Sequence, residues 1–168
     1  TYVKATKGLL PGFSPAAAGY LRFDGGVDVA SLPKDPPASK DPGSVVQLVD
    51  VDPQSPERGQ RRMIQVKWQE EDGVYWLAHS LGVLPAVGYP LAPKTRYAIV
   101  VTKRLRGADG SPVRPSAELE EVLGVRPAGA RTQALAASWK PAIDELARAG
   151  VAPADVAHLT VFTTNDPT

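Results

Sequence analysis

Seventeen prolines divide this chain of 168 residues into short segments. Proline disrupts the interior of a helix and of a central strand, so regular elements have to fit between the prolines or end at them. Most of the prolines fall before residue 16, within 33–42, beside the apolar run at 96–102 and in the turns around a helical stretch. This distribution indicates many short strands joined by proline-marked turns, and it is not typical of a disordered tract.

Short β-type runs occupy the segments between these turns. The clearest run, Arg96–Thr102, is nearly continuous in apolar residues, as expected of a strand that is buried on both faces. In Met63–Gln69 apolar side chains alternate with polar ones, which predicts a half-buried strand. An Asp-Gly pair follows it, so we expect a β-hairpin over 63–78 whose second strand is Val74–Ala78. Further strands are predicted at Tyr20–Phe23, Val45–Val51 and His158–Thr164.

A helical pattern begins after residue 115. Ser116 can cap a first helix, and Gly124 ends it. A second, longer segment covers Arg131–Ala149 and carries one apolar helix face. Pro141 interrupts that segment, which leaves a kinked helix and two successive helices as alternatives. The apolar face consists of Leu135, Trp139, Ile143 and Leu146.

These patterns predict a mainly β fold, a β-sandwich of about seven strands with a helical insertion before the last strand. Residues 1–19 are expected to form an extended lead-in, and residues 20–164 the sandwich, with the insertion at about 116–157. Residues 165–168 are expected to begin a linker. The helices come in one block, without the strand–helix alternation of a doubly wound sheet.

Composition excludes several classes of function. The chain has 19 Lys and Arg against 18 Asp and Glu, a net charge of +1, which gives no electrostatic reason to expect nucleic acid or an anionic membrane as a partner. It has no Cys, which excludes a disulfide scaffold, a thiolate metal site and a Cys nucleophile. No apolar run reaches the roughly 18 residues that a membrane-spanning helix needs, so no transmembrane segment is predicted.

Several stretches of the sequence resemble a known domain family. Tyr89–Thr102 (YPLAPKTRYAIVVT) and its continuation Leu105–Val113 (LRGADGSPV) resemble the "pL-p-T-Y-v-v-v … l-r-d-a-G-p-v" segment of bacterial Ig-like domains, of the type described in S-layer proteins. Near the start of the buried strand, Tyr97 can pack its ring and bond its hydroxyl to nearby backbone, as in a tyrosine corner. Two further parts of the family's pattern have similar segments in this chain. Its opening strand resembles Phe13–Pro15, Leu21–Asp24 and Val27–Leu32, and its closing strand resembles Val161–Thr164.

The resemblance implies an Ig-like β-sandwich and a non-catalytic role. The chain would be a module of a larger secreted or cell-surface bacterial protein, either outer-membrane associated or fully secreted. It would serve as a spacer or as a protein or glycan interaction domain. Its partners would be neighbouring domains of the same polypeptide and a protein or glycan at the cell surface.

Two alternatives remain open beside this interpretation. The helical stretch at 116–157 resembles the version of the domain that lies N-terminal to secreted bacterial lipase-like proteins. The chain would then be an accessory domain of a lipase or esterase-type hydrolase whose catalytic residues lie outside it. The other alternative is a carbohydrate-binding β-sandwich.

No catalytic residue is expected within the chain. A nucleophile elbow needs Gly-x-Ser-x-Gly on a strained turn, and the nearest string, around Ser14, lacks the second glycine. Pro15 also removes an N–H that an oxyanion hole would use. The two histidines, His79 and His158, have no adjacent group in the sequence that would activate them.

Two sets of residues are candidates for ligand contact. Tyr75 and Trp76 lie on the predicted hairpin, where an outward-facing ring can stack on a sugar. Asp50 and Asp52 lie at a strand end, and Asp166 is expected close to them in space, so these carboxylates are candidates for a loop Ca²⁺ site. No EF-hand spacing is present, and no cofactor other than Ca²⁺ is expected.

Overall fold

The computed structural model describes residues 12–166, so the parts of the predicted lead-in at 1–11 and of the predicted linker at 167–168 lie outside the described residues. Within 12–166 the chain forms seven strands and two α-helices. The strands are β1 (Gly19–Arg22), β2 (Val46–Asp50), β3 (Arg61–Arg62), β4 (Ile64–Gln69), β5 (Ser80–Pro85), β6 (Arg96–Thr102) and β7 (Val156–Thr163). The helices are α1 (Ala117–Val122) and α2 (Gln133–Arg148).

The seven strands form two antiparallel sheets, so the chain is mainly β, as predicted. One sheet has three strands in the order β1–β5–β4, and the other has four in the order β3–β2–β6–β7. Side chains from both sheets form one apolar core between them, which gives the molecule a two-sheet layered architecture. The helices precede β7 in the chain, where the helical insertion is predicted.

Strand β6 is buried on both faces, as its apolar run predicts. Tyr97, Ile99 and Val101 point into the core between the sheets. Ala98 and Val100 point the other way, into a second apolar cluster beneath the helices. Because successive side chains of a strand alternate in direction, only an almost wholly apolar strand can serve both cores.

The helices cover the outer face of the four-stranded sheet. Ser116 caps α1 by accepting a hydrogen bond from Leu119 N at 3.2 Å, as predicted. Helix α2 runs through Pro141 without interruption, so the predicted segment is one helix. Its buried face contributes Ala142, Ile143 and Leu146 to the second cluster.

The predicted hairpin over 63–78 is wrong in its second half. Strand β4 pairs with β5, with Trp68 opposite Leu81 and Val66 opposite Val83, and residues 70–79 form the connecting loop. Val74 and Tyr75 are 88% and 90% exposed and lie in no strand. β4 and β5 pair because both present apolar side chains to the core, whereas Val74, Tyr75 and Leu77 are exposed and add nothing to it.

The proline-rich segment at 33–43 is only partly a surface loop. It contains the 3₁₀ helix Pro37–Lys40, and the side chain of Ser39 is fully buried. Its Oγ accepts a hydrogen bond from Ile64 N at 2.9 Å and donates one to Pro36 O at 2.6 Å. The segment therefore covers the outer edge of β4, which would otherwise present an unpaired N–H.

The two described ends of the chain meet at β7. Phe13 lies parallel to the end of that strand, with its N–H donating to Thr163 O at 2.9 Å and its carbonyl accepting from Asn165 N at 2.8 Å. Gly12 has a φ of +109°, and a Cβ there would lie 2.7 Å from Thr163 O. Only glycine fits this close approach of two backbones.

Candidate ligand-binding groove

The outer face of the three-stranded sheet carries an open groove of about 530 Å³. Its floor is a row of cross-strand neighbours, Tyr20 on β1, Gly82 on β5 and Lys67 on β4. Leu21 and Leu81, one position along, face the core, and the alternation of side chains turns Tyr20 and Gly82 outward. Gly82 has no side chain, and the Tyr20 ring lies across it: a Cβ on Gly82 would be 3.5 Å from Tyr20 Cε1.

Trp76 closes one side of this groove. Its ring centroid lies 6.0 Å from that of Tyr20, with the rings tilted by 53°, and Lys67 Nζ lies 5.5 Å from the indole centroid. Tyr20 is 60% exposed and Trp76 39% exposed. Two aromatic rings and a cation therefore line the same open surface, an arrangement suited to a ligand with both an apolar face and polar groups.

Local contacts fix the loop that carries Trp76. Asp72 Oδ1 accepts a hydrogen bond from Ala78 N at 2.7 Å, and Gly73 N donates to Trp76 O at 2.9 Å. A Cβ on Gly73 would lie 2.7 Å from Trp76 Cδ1, so a larger residue at this position would displace the indole. The turn predicted from Asp72-Gly73 is thus present, but it serves to position Trp76 and does not join two strands.

A second set of contacts holds the base of the loop. The His79 ring stacks on Trp68 with 6.2 Å between centroids and 15° between planes. Glu70 accepts a hydrogen bond from Trp68 Nε1, and its other oxygen lies 3.5 Å from His79 Nε2. His79 has a φ of +56°, an uncommon conformation for a residue other than glycine, which reverses the chain into β5.

Polar side chains complete the groove. They come from β4 and from the 33–36 turn that faces it, and they bring amides and both signs of charge to the rim. They are Gln65, Gln69, Lys34 and Asp35. Hydrogen-bonding groups therefore surround the two aromatic rings.

Trp76 lies in the groove, and Tyr75 lies beside it, on an adjoining surface pocket that Tyr20 and Trp76 also line. Tyr75 is 90% exposed and stacks on no ring of the described residues. Sequence reasoning missed Tyr20, Lys67 and Gly82. Side chains alternate along a strand, so an inward Leu21 predicts that Tyr20 points outward. The alignment of Tyr20, Gly82 and Lys67 in one row depends on pairing between segments that are distant in the sequence.

Asp50 is the last residue of β2, and Asp52 lies two residues further on, where the turn begins. Asp50 is fully buried and accepts hydrogen bonds from Asp52 N at 3.0 Å and Ser55 Oγ at 2.6 Å. Burial raises the pKa of Asp50 above its usual value, with the Ser55 hydrogen bond opposing it. Asp52 accepts from Gln54 N at 2.8 Å and Arg96 N at 3.0 Å.

Asp166 pairs with Lys94 Nζ at 2.5 Å. In the described part of the chain no three His, Asp or Glu side chains are grouped so that they could hold a metal ion. A Ca²⁺ site at Asp50, Asp52 and Asp166 stays a prediction. It is checked by a thermal melt with and without millimolar Ca²⁺, because a cation that binds only the native state raises the Tm.

The serine and histidine side chains considered above do not meet. Ser14 Oγ accepts a hydrogen bond from Ala16 N at 3.3 Å. Between residues 12 and 166 no serine is hydrogen-bonded to a histidine. Nor does any helix in that range have the length and apolar character needed to cross a membrane.

The chain matches no protein-family model and none of the curated proteins. The groove is therefore interpreted from its own chemistry.

Proposed function

We propose that this chain is a non-catalytic, Ig-like module of a larger secreted or cell-surface bacterial protein, and that it binds a glycan in the groove on the outer face of the three-stranded sheet. The observation that carries the proposal is the pair of exposed rings, Tyr20 and Trp76, set among polar side chains. The secreted or cell-surface location rests on the sequence resemblance alone.

The chemistry of the groove matches that of a sugar. A pyranose ring has an apolar C–H face, which packs on an aromatic ring, and hydroxyls around its edge, which need donors and acceptors. Tyr20 and Trp76 offer the apolar surface, and Gln65, Gln69 and Lys67 offer hydrogen bonds beside it. Lys34 and Lys67 face a single carboxylate, Asp35, so the groove carries a small positive excess and accepts a neutral or a weakly anionic sugar.

Strand order supports the Ig-like part of the proposal. With β1 taken as strand B, the sheet β1–β5–β4 has the order B–E–D, and the sheet β3–β2–β6–β7 has the order C′–C–F–G. Tyr97 then lies near the start of strand F, and its hydroxyl accepts a hydrogen bond from Ala92 N at 3.1 Å, five residues upstream. This is the arrangement of a tyrosine corner.

The test is a glycan-array screen followed by titration calorimetry with the best ligand. We expect Tyr20→Ala and Trp76→Ala each to weaken binding about tenfold or more, which corresponds to about 1.4 kcal/mol. The matched control is Tyr89→Ala, because Tyr89 is 58% exposed but lies outside the groove. Melting curves of the variants check that each remains folded.

Two results would overturn the proposal. One is the absence of any bound glycan on an array that includes bacterial surface polysaccharides. The other is an equal loss of affinity in Tyr20→Ala and Tyr89→Ala, which would mean that the groove is not the contact surface. A generic ester assay on the same protein tests the non-catalytic part, since turnover abolished by Ser14→Ala or Ser80→Ala would contradict it.

A further inference from the structure

Three cationic side chains surround the aromatic pair of the glycan groove without an ion-pair partner. Lys34 and Lys67 line the groove, and Arg22 lines an adjoining pocket that shares Tyr20 and Trp76 with it. None of the three cations forms a salt bridge with any residue in 12–166. Exposed charges without a partner in the fold are available to an opposite charge on a ligand.

Little negative charge opposes these cations. Asp35 is the one carboxylate among the described residues that line the groove and the adjoining pocket. Its Oδ1 accepts a hydrogen bond from Ala38 N at 2.8 Å, which engages one of its two oxygens within its own turn. The acidic run at 70–72, in the loop that carries Trp76, lines neither surface. Three positive charges therefore face one negative charge.

Lys67 brings its charge to the aromatic pair itself. Its Nζ lies 5.5 Å from the indole centroid of Trp76, and that centroid lies 6.0 Å from the ring centroid of Tyr20. Lys67 also belongs to the same cross-strand row as Tyr20. A sugar ring that packs on Tyr20 therefore has an ammonium group at its edge.

Arg22 extends the positive surface along the sheet. It lies two residues from Tyr20 on β1, so both side chains face outward, and its cross-strand neighbours are Ser80 and Gln69. Two residues of a strand span about 7 Å. A further cation thus lies one row along the same face, which suits a polymer with repeated charges better than a single charged sugar.

A uronic acid is the class of sugar that matches these features. Its carboxylate is bonded directly to the pyranose ring, so a ring that stacks on an aromatic side chain carries its charge at the ring edge. A hydrogen bond from lysine to a carboxylate is roughly twice as strong as one between neutral groups. A sulfate ester is separated from the ring by an oxygen, so its position is less closely tied to the stacked ring.

We propose that the groove selects a glycan that contains uronic acid, with one uronate ring packed on Tyr20 and Trp76 and its carboxylate hydrogen-bonded to Lys67. Lys34 and Arg22 attract the carboxylates of neighbouring sugars in the same polymer. This inference rests on the proposed function, because it names the class of glycan that the same groove binds.

The experiment starts from an array that presents uronic-acid glycans beside their carboxyl-reduced, neutral counterparts. The tightest uronate is then compared by calorimetry with its methyl ester, which keeps the ring but removes the charge. At about 50 mM NaCl we expect the acid to bind about fivefold more tightly than the ester. This ratio is expected to shrink at about 500 mM NaCl, because salt screens exposed charges.

Variants that remove one charge locate the effect. Lys67→Gln and Lys34→Gln are each expected to lower the ratio of acid to ester affinity, and the double variant is expected to bring it near one. Lys140→Gln is the matched control, because Lys140 is exposed on α2, which covers the outer face of the other sheet. It is expected to leave the ratio unchanged.

The outcomes separate this inference from the function on which it rests. Neutral glycans that bind as tightly as uronates would overturn the inference and leave the glycan site standing, whereas no bound glycan at all would overturn both. A preference for a sulfated glycan without uronic acid, or an unchanged ratio in the double variant, would also overturn the inference. The comparison of acid with ester uses the unaltered protein, so it holds even if a variant does not fold.

Discussion

Ser39 is a small residue whose replacement has a large expected effect. Its hydroxyl is the partner of the buried Ile64 N–H at the start of β4. Ser39→Ala leaves that N–H unpaired, and we expect a loss of about 1–3 kcal/mol in the free energy of unfolding. Urea denaturation measures the change.

Ser138→Ala is the matched control for Ser39→Ala. Ser138 is exposed on α2 and its side chain makes no hydrogen bond with the described residues. Alanine is a better helix former than serine, so the control is expected to be neutral or slightly stabilising. A loss below about 0.5 kcal/mol for Ser39→Ala would mean that water replaces the hydroxyl at β4.

Glu145 is a buried carboxylate held by two arginines. Its Oε2 accepts hydrogen bonds from Arg58 Nε at 2.6 Å and Arg148 Nη1 at 2.7 Å, which ties the 52–60 turn to α2. Burial acts to raise the pKa of Glu145, but the two arginines outweigh it, and the pKa lies below the usual value. Glu145→Gln is expected to cost about 1–2 kcal/mol at pH 7 because both arginines remain partly exposed.

The cost of Glu145→Gln depends on pH in a defined direction. A carboxylate with a lowered folded-state pKa stabilises the fold above its unfolded pKa of about 4.3, and the contribution is lost as the pH falls through the folded value. The stability difference between the two proteins is therefore expected to shrink below about pH 4. Glu71→Gln, at an exposed loop position, is expected to show no such trend, and a constant difference across pH would contradict the ion-pair account.

At the level of elements, α2 contains a proline that the fold tolerates at a cost. Pro141 is exposed in the middle of the helix and has no N–H to donate to the Ala137 carbonyl. Pro141→Ala is expected to raise the free energy of unfolding by about 1–3 kcal/mol. Thermal melts of the two proteins test this.

Pro153→Ala is the comparison for that substitution. Pro153 is the first residue of the 3₁₀ helix Pro153–Asp155, a position that proline suits, so its replacement is expected to be neutral or destabilising. Equal stabilisation by both substitutions would point to the unfolded chain, and not to the α2 backbone, as the source of the effect.

Sequence patterns predicted elements better than they predicted pairing. The apolar run at 96–102 sufficed to predict a strand buried on both faces, and Ser116 sufficed to predict the start of α1. The second strand of the hairpin was misassigned because Asp72-Gly73 is a good local turn signal and Val74–Leu77 has strand-like composition. Which segment pairs with β4 depends on the core that Leu81 and Val83 complete, and no local pattern contains that information.

The same limit applies to the groove. Trp76 is a candidate from its chemistry, but its neighbours Tyr20 and Lys67 lie 56 and 9 residues away. Strand register brings those two together across Gly82, and the fold of the 70–79 loop brings Trp76 to them. The sequence predicts no role for His158, and the burial of its Nδ1 without a hydrogen bond follows from packing between distant segments. The burial of a side chain by distant segments depends on the whole fold and is not visible in a local sequence pattern.

At the scale of the whole molecule, the helices and the sandwich share one sheet. Leu146 on α2 is almost fully buried against the face of β6 opposite the main core. Leu146→Ala is expected to cost about 2–5 kcal/mol and to lower the midpoint for the sheets and the helices together. Leu135→Ala, at a side chain that is 42% exposed, is expected to cost far less.

Two probes reveal whether the layers unfold as one unit. Helical ellipticity and the fluorescence of Trp68 and Trp76, measured in a Trp139→Phe background because Trp139 lies on α2, are expected to give the same midpoint in urea, as in a two-state transition. The contrary result is that, in Leu146→Ala, the ellipticity midpoint falls to a lower urea concentration while the fluorescence midpoint equals that of the Trp139→Phe parent. That result would mean that the helical insertion unfolds as a separate layer and is not part of the common core.

The parallel contact between Phe13 and the end of β7 determines how the fold responds to tension. The segment at Phe13 and the end of β7 run parallel. The chain therefore enters this pair at one end, before Phe13, and leaves it at the opposite end, after Asn165. A force that pulls Phe13 and Asn165 apart along the chain slides one segment along the other. The hydrogen bonds between the segments lie across the direction of the force, so they bear the load together and not one after another. Mechanical stress carried along the polypeptide would therefore meet a shear-resistant clamp before it reached either core.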